Sequence, residues 1–301
     1  MHLIWKCKMR YKIRHITEYK YQEPVSACHN RLCLTPLNLP QHQRISAEIN
    51  ILPAPDEMNY RTDFYGNSLL FFSSYKEHDH LEITSTSEVI IDGRANADLA
   101  ARSTVLSKEV KQTLLQNTEE NQDEIEFVLP SQYIPDSEVI KNFASDCFFE
   151  ESTLWNSCQT LMQKIYKNIE FKPGFTTINT PVEAVVKAKK GVCQDFAHVM
   201  IACLRNMGVP ARYVSGYIET LPPPGKKKLV GSDASHAWVS VYFPNIGWVE
   251  FDPTNNLLPS DKHITVAFGR DYHDVAPLKG VVFGSGKQTL EVKVDVERVM
   301  V

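Results

Sequence analysis

The segment from Val192 to Leu204 is apolar on nearly every side, and it limits the folds open to this chain more than any other feature. A helix that is hydrophobic all round has to be buried inside a domain. Gly208 and Pro210 follow at the positions where helices commonly end. The segment therefore predicts a central helix enclosed by the core of a domain.

Further helices and strands are predicted on both sides of this segment. Thr180, Pro181 and Glu183 form a capping box with proline at the first helical position, so a helix is predicted to begin there. An earlier helix is indicated by apolar residues at helical spacing, which are Leu154, Cys158, Leu161 and Ile165. Strands are predicted over residues 211–218, 234–243, 248–252 and 290–296. This mixture predicts the α+β fold class.

The first third of the chain has the period-two alternation of half-buried β-strands. From Tyr11 to Tyr21, one face carries tyrosine, isoleucine, histidine and threonine, and the other carries mainly lysine, arginine and glutamate. Further strands are predicted over residues 45–51, 60–64, 68–72 and 81–91. Several short strands separated by turns indicate a small antiparallel β-sandwich.

The predicted organisation therefore has three parts. An amino-terminal β-sandwich domain covers residues 9–95, and a linker or connecting helix covers residues 96–130. The catalytic core, with the carboxy-terminal strands, covers residues 131–301. A chain of 301 residues is long enough to form two domains.

Composition excludes several classes of function. The formal net charge is -4 and no long run of Lys or Arg occurs, so nucleic acid is not an expected partner. No stretch approaches the roughly 20 apolar residues that cross a bilayer, and charges interrupt the first ten residues too often for a secretory signal. The seven cysteines include no CxxC pair, so neither a zinc site nor a disulfide framework is predicted. We therefore expect a cytoplasmic protein that does not act at a membrane.

Cys193 occupies the first turn of the predicted buried helix. A thiolate there is stabilised by the positive end of the helix dipole, and unpaired backbone N–H groups could receive the oxyanion of an acyl-transfer reaction. Gly191 would remove side-chain bulk where a substrate backbone approaches. The alternative is a buried cysteine that packs as a small hydrophobic residue, and we assign that role to Cys203. Cys193 taken alone does not decide between the two interpretations.

A nucleophilic thiol needs a base, and two neighbouring predicted strands supply one. His236, Trp238 and Ser240 share one face of the first strand, and Glu250 and Asp252 share one face of the second. If the loop between the strands has an odd number of residues, His236 faces Asp252 and Trp238 faces Glu250. The carboxylate could then accept a hydrogen bond from the imidazole. A two-residue loop would place His236 and Asp252 on opposite faces.

Each of these residues also has an ordinary structural explanation. His236 could be a hydrogen-bonded strand histidine, and Asp252 before Pro253 could start a turn. These explanations suffice for one residue at a time, but they do not account for a helix-start cysteine, a histidine and a carboxylate together. The combination predicts a catalytic triad of Cys193, His236 and Asp252.

Motifs along the chain resemble those of a known family. They are Gly191-Val192-Cys193-Gln194-Asp195-Phe196-Ala197-His198, Gly208-Val209-Pro210-Ala211-Arg212-Tyr213-Val214-Ser215-Gly216-Tyr217, His236-Ala237-Trp238 and Asp252-Pro253-Thr254. In this order they resemble the transglutaminase-like core of bacterial proteins classed as cysteine proteases, over roughly residues 131–285. Residues 11–24 and 63–67 resemble the family's amino-terminal β domain, and residues 269–277 resemble its carboxy-terminal segment. The resemblance implies a papain-like α+β core whose triad falls on the three residues named above.

The resemblance also implies a reaction. A cysteine hydrolase, either a protease or an amidase, would cut peptide or carboxamide bonds through a thioester, and its partner would be a peptide or protein substrate. This chemistry requires no metal or organic cofactor. Transfer of the acyl group to an amine remains open, as does acyl transfer from a thioester donor. A non-catalytic peptide-binding module is a further alternative, supported by the additional β domain.

The substrate cleft is predicted to include Gly191, Gln194 and Trp238. His198 is predicted to be a packed, hydrogen-bonded histidine and not a catalyst. Two clusters with metal-ligating side chains lack the further ligands of a protein metal site, so no metal site is predicted. They are His78-Asp79-His80 and Asp271-His273-Asp274. The second cluster is expected in a loop packed near the cleft.

Overall fold

The computed structural model describes residues 8–93, 97–116, 122–220 and 235–299. The strands are β1 (Met9–Val25), β2 (Ala27–Leu32), β3 (His42–Leu52), β4 (Glu57–Thr62), β5 (Ser68–Ser74), β6 (His78–Ile91), β7 (Glu170–Phe171), β8 (Lys190–Gly191), β9 (Ala211–Ile218), β10 (Ser235–Phe243), β11 (Gly247–Phe251), β12 (His263–Gly269), β13 (Leu278–Phe283) and β14 (Gln288–Val299). The α-helices are α1 (Ala97–Ala101), α2 (Val110–Gln116), α3 (Gln122–Ile125), α4 (Glu138–Ala144), α5 (Leu154–Asn168), α6 (Val182–Ala188), α7 (Cys193–Asn206) and α8 (Tyr272–Val275). The α+β fold class is confirmed.

Two four-stranded antiparallel sheets form the amino-terminal sandwich. Their strand orders are β14-β1-β6-β3 and β13-β2-β5-β4. Apolar side chains from both sheets meet in one cluster, with Leu32 and Phe72 from one sheet and Ile51 and Ile83 from the other. The alternation predicted for β1 is present, since every second residue from Tyr11 to Thr17 is buried, and Tyr11 and Ile13 of this face pack in the core of the second part of the chain. The predicted β-sandwich is therefore present.

The last two strands belong to this sandwich and not to the catalytic core. β14 pairs with β1 along nearly its whole length, and β13 pairs with β2. The predicted boundary assigns residues 131–301 to the core and is wrong for these two strands, because strand alternation in a sequence does not show which sheet a strand joins. Val294 and Val296 of β14 are buried beside Tyr11 and Ile13 of β1, so the two ends of the described chain share one core.

The core of the second part surrounds α7, as the sequence predicts. Every residue of α7 from Asp195 to Arg205 is buried. One side of α7 packs on a sheet of order β11-β10-β9-β12, and helices α4, α5 and α6 pack around it. The segment predicted as a linker contributes α1, α2 and α3, and Val110 and Leu114 of α2 are buried against the same core. In the described part of the chain, no helix is long and apolar enough to cross a membrane.

Polar contacts fix the sandwich against the core sheet. The side chain of Asn67 is fully buried, donates to the carbonyl of Phe268 (2.7 Å) and accepts from its amide (2.8 Å). His15 Nδ1 hydrogen-bonds to the hydroxyl of Tyr217 at 3.0 Å. Because Asn67 lies in the β4–β5 loop and Phe268 in β12, the hairpin of the sandwich holds the edge strand of the core sheet.

Candidate active site

The nucleophile candidate, Cys193, is the first residue of α7. Val192 precedes it in an extended conformation, and the carboxylate of Asp195 accepts the Val192 amide at 2.7 Å, which caps the helix. The same Asp195 oxygen accepts the hydroxyl of Thr176 at 2.6 Å. The other cysteines whose positions are described are all buried, whereas Cys193 is partly exposed. Cys193 is therefore the most accessible of the described cysteines.

Gly191 has a different role from the one predicted. It is buried, and a Cβ added there would lie 2.8 Å from the Cβ of Asp195. The space beside Gly191 is thus filled by the capping aspartate and not by an approaching substrate. A glycine is required because Asp195 must fold back over it to reach the Val192 amide.

The amides at the start of α7 are available to a ligand. The amides of Asp195 and Phe196 both donate to the carbonyl of Val192. Among the described residues, those of Cys193 and Gln194 have no acceptor. Unpaired N–H groups at a helix start form an anion-binding site. An oxyanion on a carbon bonded to the Cys193 sulfur would lie next to these two amides. The place of the Gln194 side chain in the substrate cleft stays a prediction.

His236 connects the cysteine to the carboxylate. Its Nε2 lies 2.7 Å from Oδ2 of Asp252, and the imidazole also interacts with Cys193, which helps to raise the pKa of the histidine. Because Nε2 is engaged by Asp252, Nδ1 is the nitrogen left for the sulfur. Only 8% of His236 is exposed, so water competes weakly for these interactions. The structure therefore brings the three predicted residues together.

The predicted pairing of the hairpin was wrong by two residues, although His236 and Asp252 both lie on the predicted face. β10 and β11 are joined by residues 244–246, an odd number as required, but Ser240 lies opposite Glu250. On that register Asp252 lies opposite Trp238, and His236 reaches Asp252 diagonally. Asn245 and Gly247 adopt positive φ angles of 63° and 97°, and this left-handed turn sets the offset. Diagonal neighbours on one face remain within reach of long side chains.

The environment of His236 and Asp252 favours the charged form of both groups. Burial alone would lower the pKa of His236, but its hydrogen bond to Asp252 and its interaction with Cys193 outweigh burial and raise its pKa. Burial would raise the pKa of Asp252, and its hydrogen bonds to His236 and His263 reverse this and hold its pKa well below the usual range. Asp252 is thus ionised and His236 retains its proton near neutral pH.

Asp252 is fully buried and accepts several hydrogen bonds. Oδ1 accepts the amides of Thr254 (3.0 Å) and Asn255 (3.2 Å). Oδ2 accepts the side-chain amide of Asn255 at 2.7 Å, besides the bond from His236. A buried carboxylate needs such partners because an unpaired charge in the interior is costly. Asn255 is not predicted from the sequence, although its position three residues after Asp252 suits an aspartate turn.

His263 is a second histidine on the same carboxylate oxygen, and sequence analysis missed it as well. Its Nε2 lies 3.1 Å from Asp252 Oδ2, and its Nδ1 accepts the amide of Ser260 at 3.3 Å. The imidazole proton is therefore on Nε2 and is donated to Asp252. Ligand atoms of His236, Asp252 and His263 lie within 4.8 Å of one another, a spacing that also suits a metal ion, but hydrogen bonds already account for it.

Trp238 supports His236 from behind and does not line a cleft as predicted. It is fully buried, and its ring stacks on His236 at 5.9 Å between centroids. Its Nε1 donates to Glu250 at 3.1 Å. A Cβ at Gly216 would lie 2.5 Å from this ring and 2.1 Å from the Ile264 carbonyl, so only glycine leaves room for the indole. Strand alternation places Trp238 on the sheet face that the sandwich covers.

The carboxy-terminal motif packs near the nucleophile helix. The amide of Tyr272 donates to Nε2 of His198 at 3.1 Å, and the carboxylate of Asp271 accepts the amide of Tyr133 at 2.9 Å. Tyr133 stacks on the His198 ring, and burial lowers the pKa of His198 to about 4. His198 is therefore a packed neutral histidine, as predicted, and it anchors the loop that carries Asp271 to α7.

Comparisons with known proteins agree with this architecture. Residues 141–253 match the family described as the transglutaminase-like superfamily, and residues 11–90 match the bacterial transglutaminase-like N-terminal region. Uncharacterised proteins of Mycobacterium bovis and Mycobacterium tuberculosis are 36% identical to this chain over 296 residues, which is 95% of this chain and 92% of each relative. A shorter match joins 34% of this chain to 16% of a protein-glutamine gamma-glutamyltransferase of Pseudomonas aeruginosa, with 31% identity over 109 residues.

A solved structure gives the same fold over nearly the whole chain. It is a Cytophaga hutchinsonii protein described provisionally as a cysteine protease, and it superposes with a TM-score of 0.77 at 20% identity. The alignment covers 98% of this chain and 92% of that one. The papain-like core with its amino-terminal β domain is thus a shared architecture, and the chain belongs to the transglutaminase-like superfamily.

Proposed function

We propose that this protein is a cysteine-nucleophile hydrolase that acts on peptide or carboxamide bonds. The observation that carries the proposal is the position of the His236 imidazole, whose Nε2 lies 2.7 Å from Asp252 and which also interacts with Cys193. This is the arrangement of a nucleophile, a base and an orienting carboxylate. If His236 had only a structural role, it would not need a partly exposed cysteine beside it in addition to Asp252.

In the proposed acylation step, the Cys193 sulfur attacks the carbonyl carbon of the substrate and a carbon–sulfur bond forms. The carbonyl oxygen gains the negative charge, and the amides of Cys193 and Gln194 stabilise it. The bond to the leaving nitrogen then breaks, and His236 donates its proton to that nitrogen. A thioester on Cys193 and a free amine or ammonia result.

In the proposed deacylation step, water attacks the thioester carbon while His236 takes a proton from it. The carbon–sulfur bond breaks, the acid leaves, and the thiolate is restored beside the imidazolium. Asp252 stays ionised throughout and orients the imidazole. Every group required belongs to this chain, so the reaction requires only substrate and water.

Acyl transfer to an amine is the second candidate. The match to a protein-glutamine gamma-glutamyltransferase over part of the core favours it. A primary amine such as a lysine side chain would replace water as the acceptor of the same thioester. Hydrolysis is the first choice because the long structural match is to a protein described as a protease. A cytoplasmic location, with a peptide or protein as substrate, is part of the same proposal.

The test is incubation with a peptide library, with and without a primary amine, and mass analysis of the products. Hydrolysis predicts a gain of water at a cleaved or deamidated position, whereas transfer predicts an amine adduct that replaces the hydrolysed product. Cys193→Ala should abolish both reactions. Products that persist in Cys193→Ala would refute a cysteine mechanism, and binding without turnover would support the peptide-binding alternative.

A further inference from the structure

A cavity of about 240 Å³ lies on the sheet face that carries His236 and Trp238, further along the strands. Arg212 of β9, Ser240 of β10 and Glu250 of β11 lie side by side in register at its base. The remaining walls are largely apolar and include Leu39, Trp248 and Phe268. Ligand pockets commonly have volumes of about 300–1,000 Å³, so this cavity suits a molecule smaller than most drug-sized ligands.

The guanidinium of Arg212 is the most unusual group in the cavity. Its Cζ lies 3.6 Å from the ring centre of Phe268 and 4.2 Å from that of Trp248. Within the described ranges, the group has no hydrogen-bond partner and no carboxylate within 4.0 Å, and its Nε is sealed from solvent. Burial lowers the pKa of Arg212 to about 9, and the nearby charge of Glu250 only partly opposes this.

An arginine in such a place needs an acceptor. Arg212 as a whole is partly buried, and guanidinium groups enclosed in this way are usually paired or hydrogen-bonded, because desolvating a charge without compensation is costly. The two aromatic rings supply cation–π attraction, but they do not accept the in-plane N–H groups. The donors of Arg212 are therefore available to a planar acceptor, and a carboxylate matches their geometry.

Ser240 adds a second polar group at the same position. The residue is fully buried, and among the described residues its Oγ has no hydrogen-bond partner. A buried hydroxyl without a partner costs about 1–3 kcal/mol, so its presence on a strand face needs an explanation. Because Ser240 lies directly opposite Arg212 in the register, both groups could bind the same ligand atom.

We propose that this cavity binds a small organic carboxylate with a compact apolar tail. Arg212 holds the carboxylate through its planar N–H groups, Ser240 donates to the same group, and Leu39, Trp248 and Phe268 enclose the tail. The site is separate from the catalytic residues, since the fully buried Trp238 lies between it and His236. The proposal does not rest on the proposed reaction.

The test uses isovalerate as the probe and titrates it by calorimetry into the Cys193→Ala protein, so that catalysis plays no part. Isovalerate should bind saturably. Isovaleramide, which has the same shape without the charge, should bind about tenfold or more weakly, because charge-assisted hydrogen bonds are roughly twice as strong as neutral ones. Inorganic phosphate should not bind, because it has no apolar tail. Equal binding of the acid and the amide, or no binding of either, would overturn the proposal.

Two variants and a control locate the binding. Arg212→Met should abolish the binding of isovalerate, whereas Arg61→Met should leave it unchanged, because Arg61 lies 5.8 Å over the Phe71 ring on the sandwich surface. Ser240→Ala should weaken binding several-fold and leave the unliganded protein as stable or more stable. Weaker binding without a loss of stability would show that Ser240 contacts the ligand and has no structural role. This result stands even if Arg212→Met fails to fold. Binding that survives in both variants would contradict the assignment.

Discussion

His263→Phe tests whether the second histidine holds the catalytic carboxylate in place. Phenylalanine keeps most of the ring volume, and the edge-on packing against Trp238 at 5.2 Å can persist. The change removes the donor that lies 3.1 Å from Asp252 Oδ2 and the acceptor of the Ser260 amide. It therefore isolates the hydrogen bonds of the imidazole from its packing.

The size of the effect follows from the charge on Asp252. A hydrogen bond to an ionised group contributes about 1.5–3 kcal/mol, and the weak 3.3 Å bond from Ser260 adds little. We therefore expect the free energy of unfolding in urea to fall by about 2 kcal/mol. The pKa of Asp252 should rise, because one of the bonds that depress it is gone. The acid limb of the kcat/KM profile should then move to higher pH.

His29→Phe is the matched control. His29 makes one side-chain hydrogen bond, to Ser73 at 2.9 Å on the exposed face of the sandwich, and it also packs edge-on against aromatic rings. Its substitution should change stability by less than about 0.5 kcal/mol and leave the pH profile unchanged. The reasoning is refuted if His263→Phe is as stable as the wild type, or if it loses stability while its acid limb stays in place.

Three further predictions concern the same site. Iodoacetamide at neutral pH should label Cys193 faster than any other described cysteine, because the others are buried, and peptide mapping would measure the labelling. Equal labelling of several cysteines would contradict an accessible nucleophile at Cys193. Asp252→Asn should move the alkaline limb of the kcat/KM profile to lower pH, because the carboxylate raises the pKa of His236. An unchanged alkaline limb would show that Asp252 does not set the pKa of His236. Gly216→Ala should lower stability by about 1–3 kcal/mol or more in thermal unfolding, because the added methyl overlaps the Trp238 ring and a backbone carbonyl; an unchanged Tm would show that the indole can shift.

Local patterns in the sequence were sufficient for the elements that carry the triad. The all-round apolar segment identified α7, and the glycine and proline after it marked its end. Strand alternation predicts His236 and Asp252 on the same face of the sheet. This prediction requires only that the loop between β10 and β11 has an odd number of residues. The pairing itself was off by two residues, because the left-handed conformation of Asn245 sets it and alternation does not report turn geometry.

Contacts between distant segments were beyond the same reasoning. β11 and β12 are opposite edges of the core sheet, yet the chain between them crosses the end of the sheet and brings His263 to Asp252. Nothing in the sequence around His263 distinguishes it from a surface histidine. The pairing of β14 with β1 is equally long-range, since each strand has a generic alternating pattern.

The most direct test of the account is the detection of a covalent acyl group on one sulfur. Intact mass spectrometry of the protein, quenched in acid during turnover of a peptide substrate, should show the acyl adduct, and peptide mapping should place it on Cys193. His236→Ala should reduce the rate at which the adduct appears. Turnover without an adduct in the wild type, or an adduct that maps to another residue, would contradict a thioester mechanism at the start of α7.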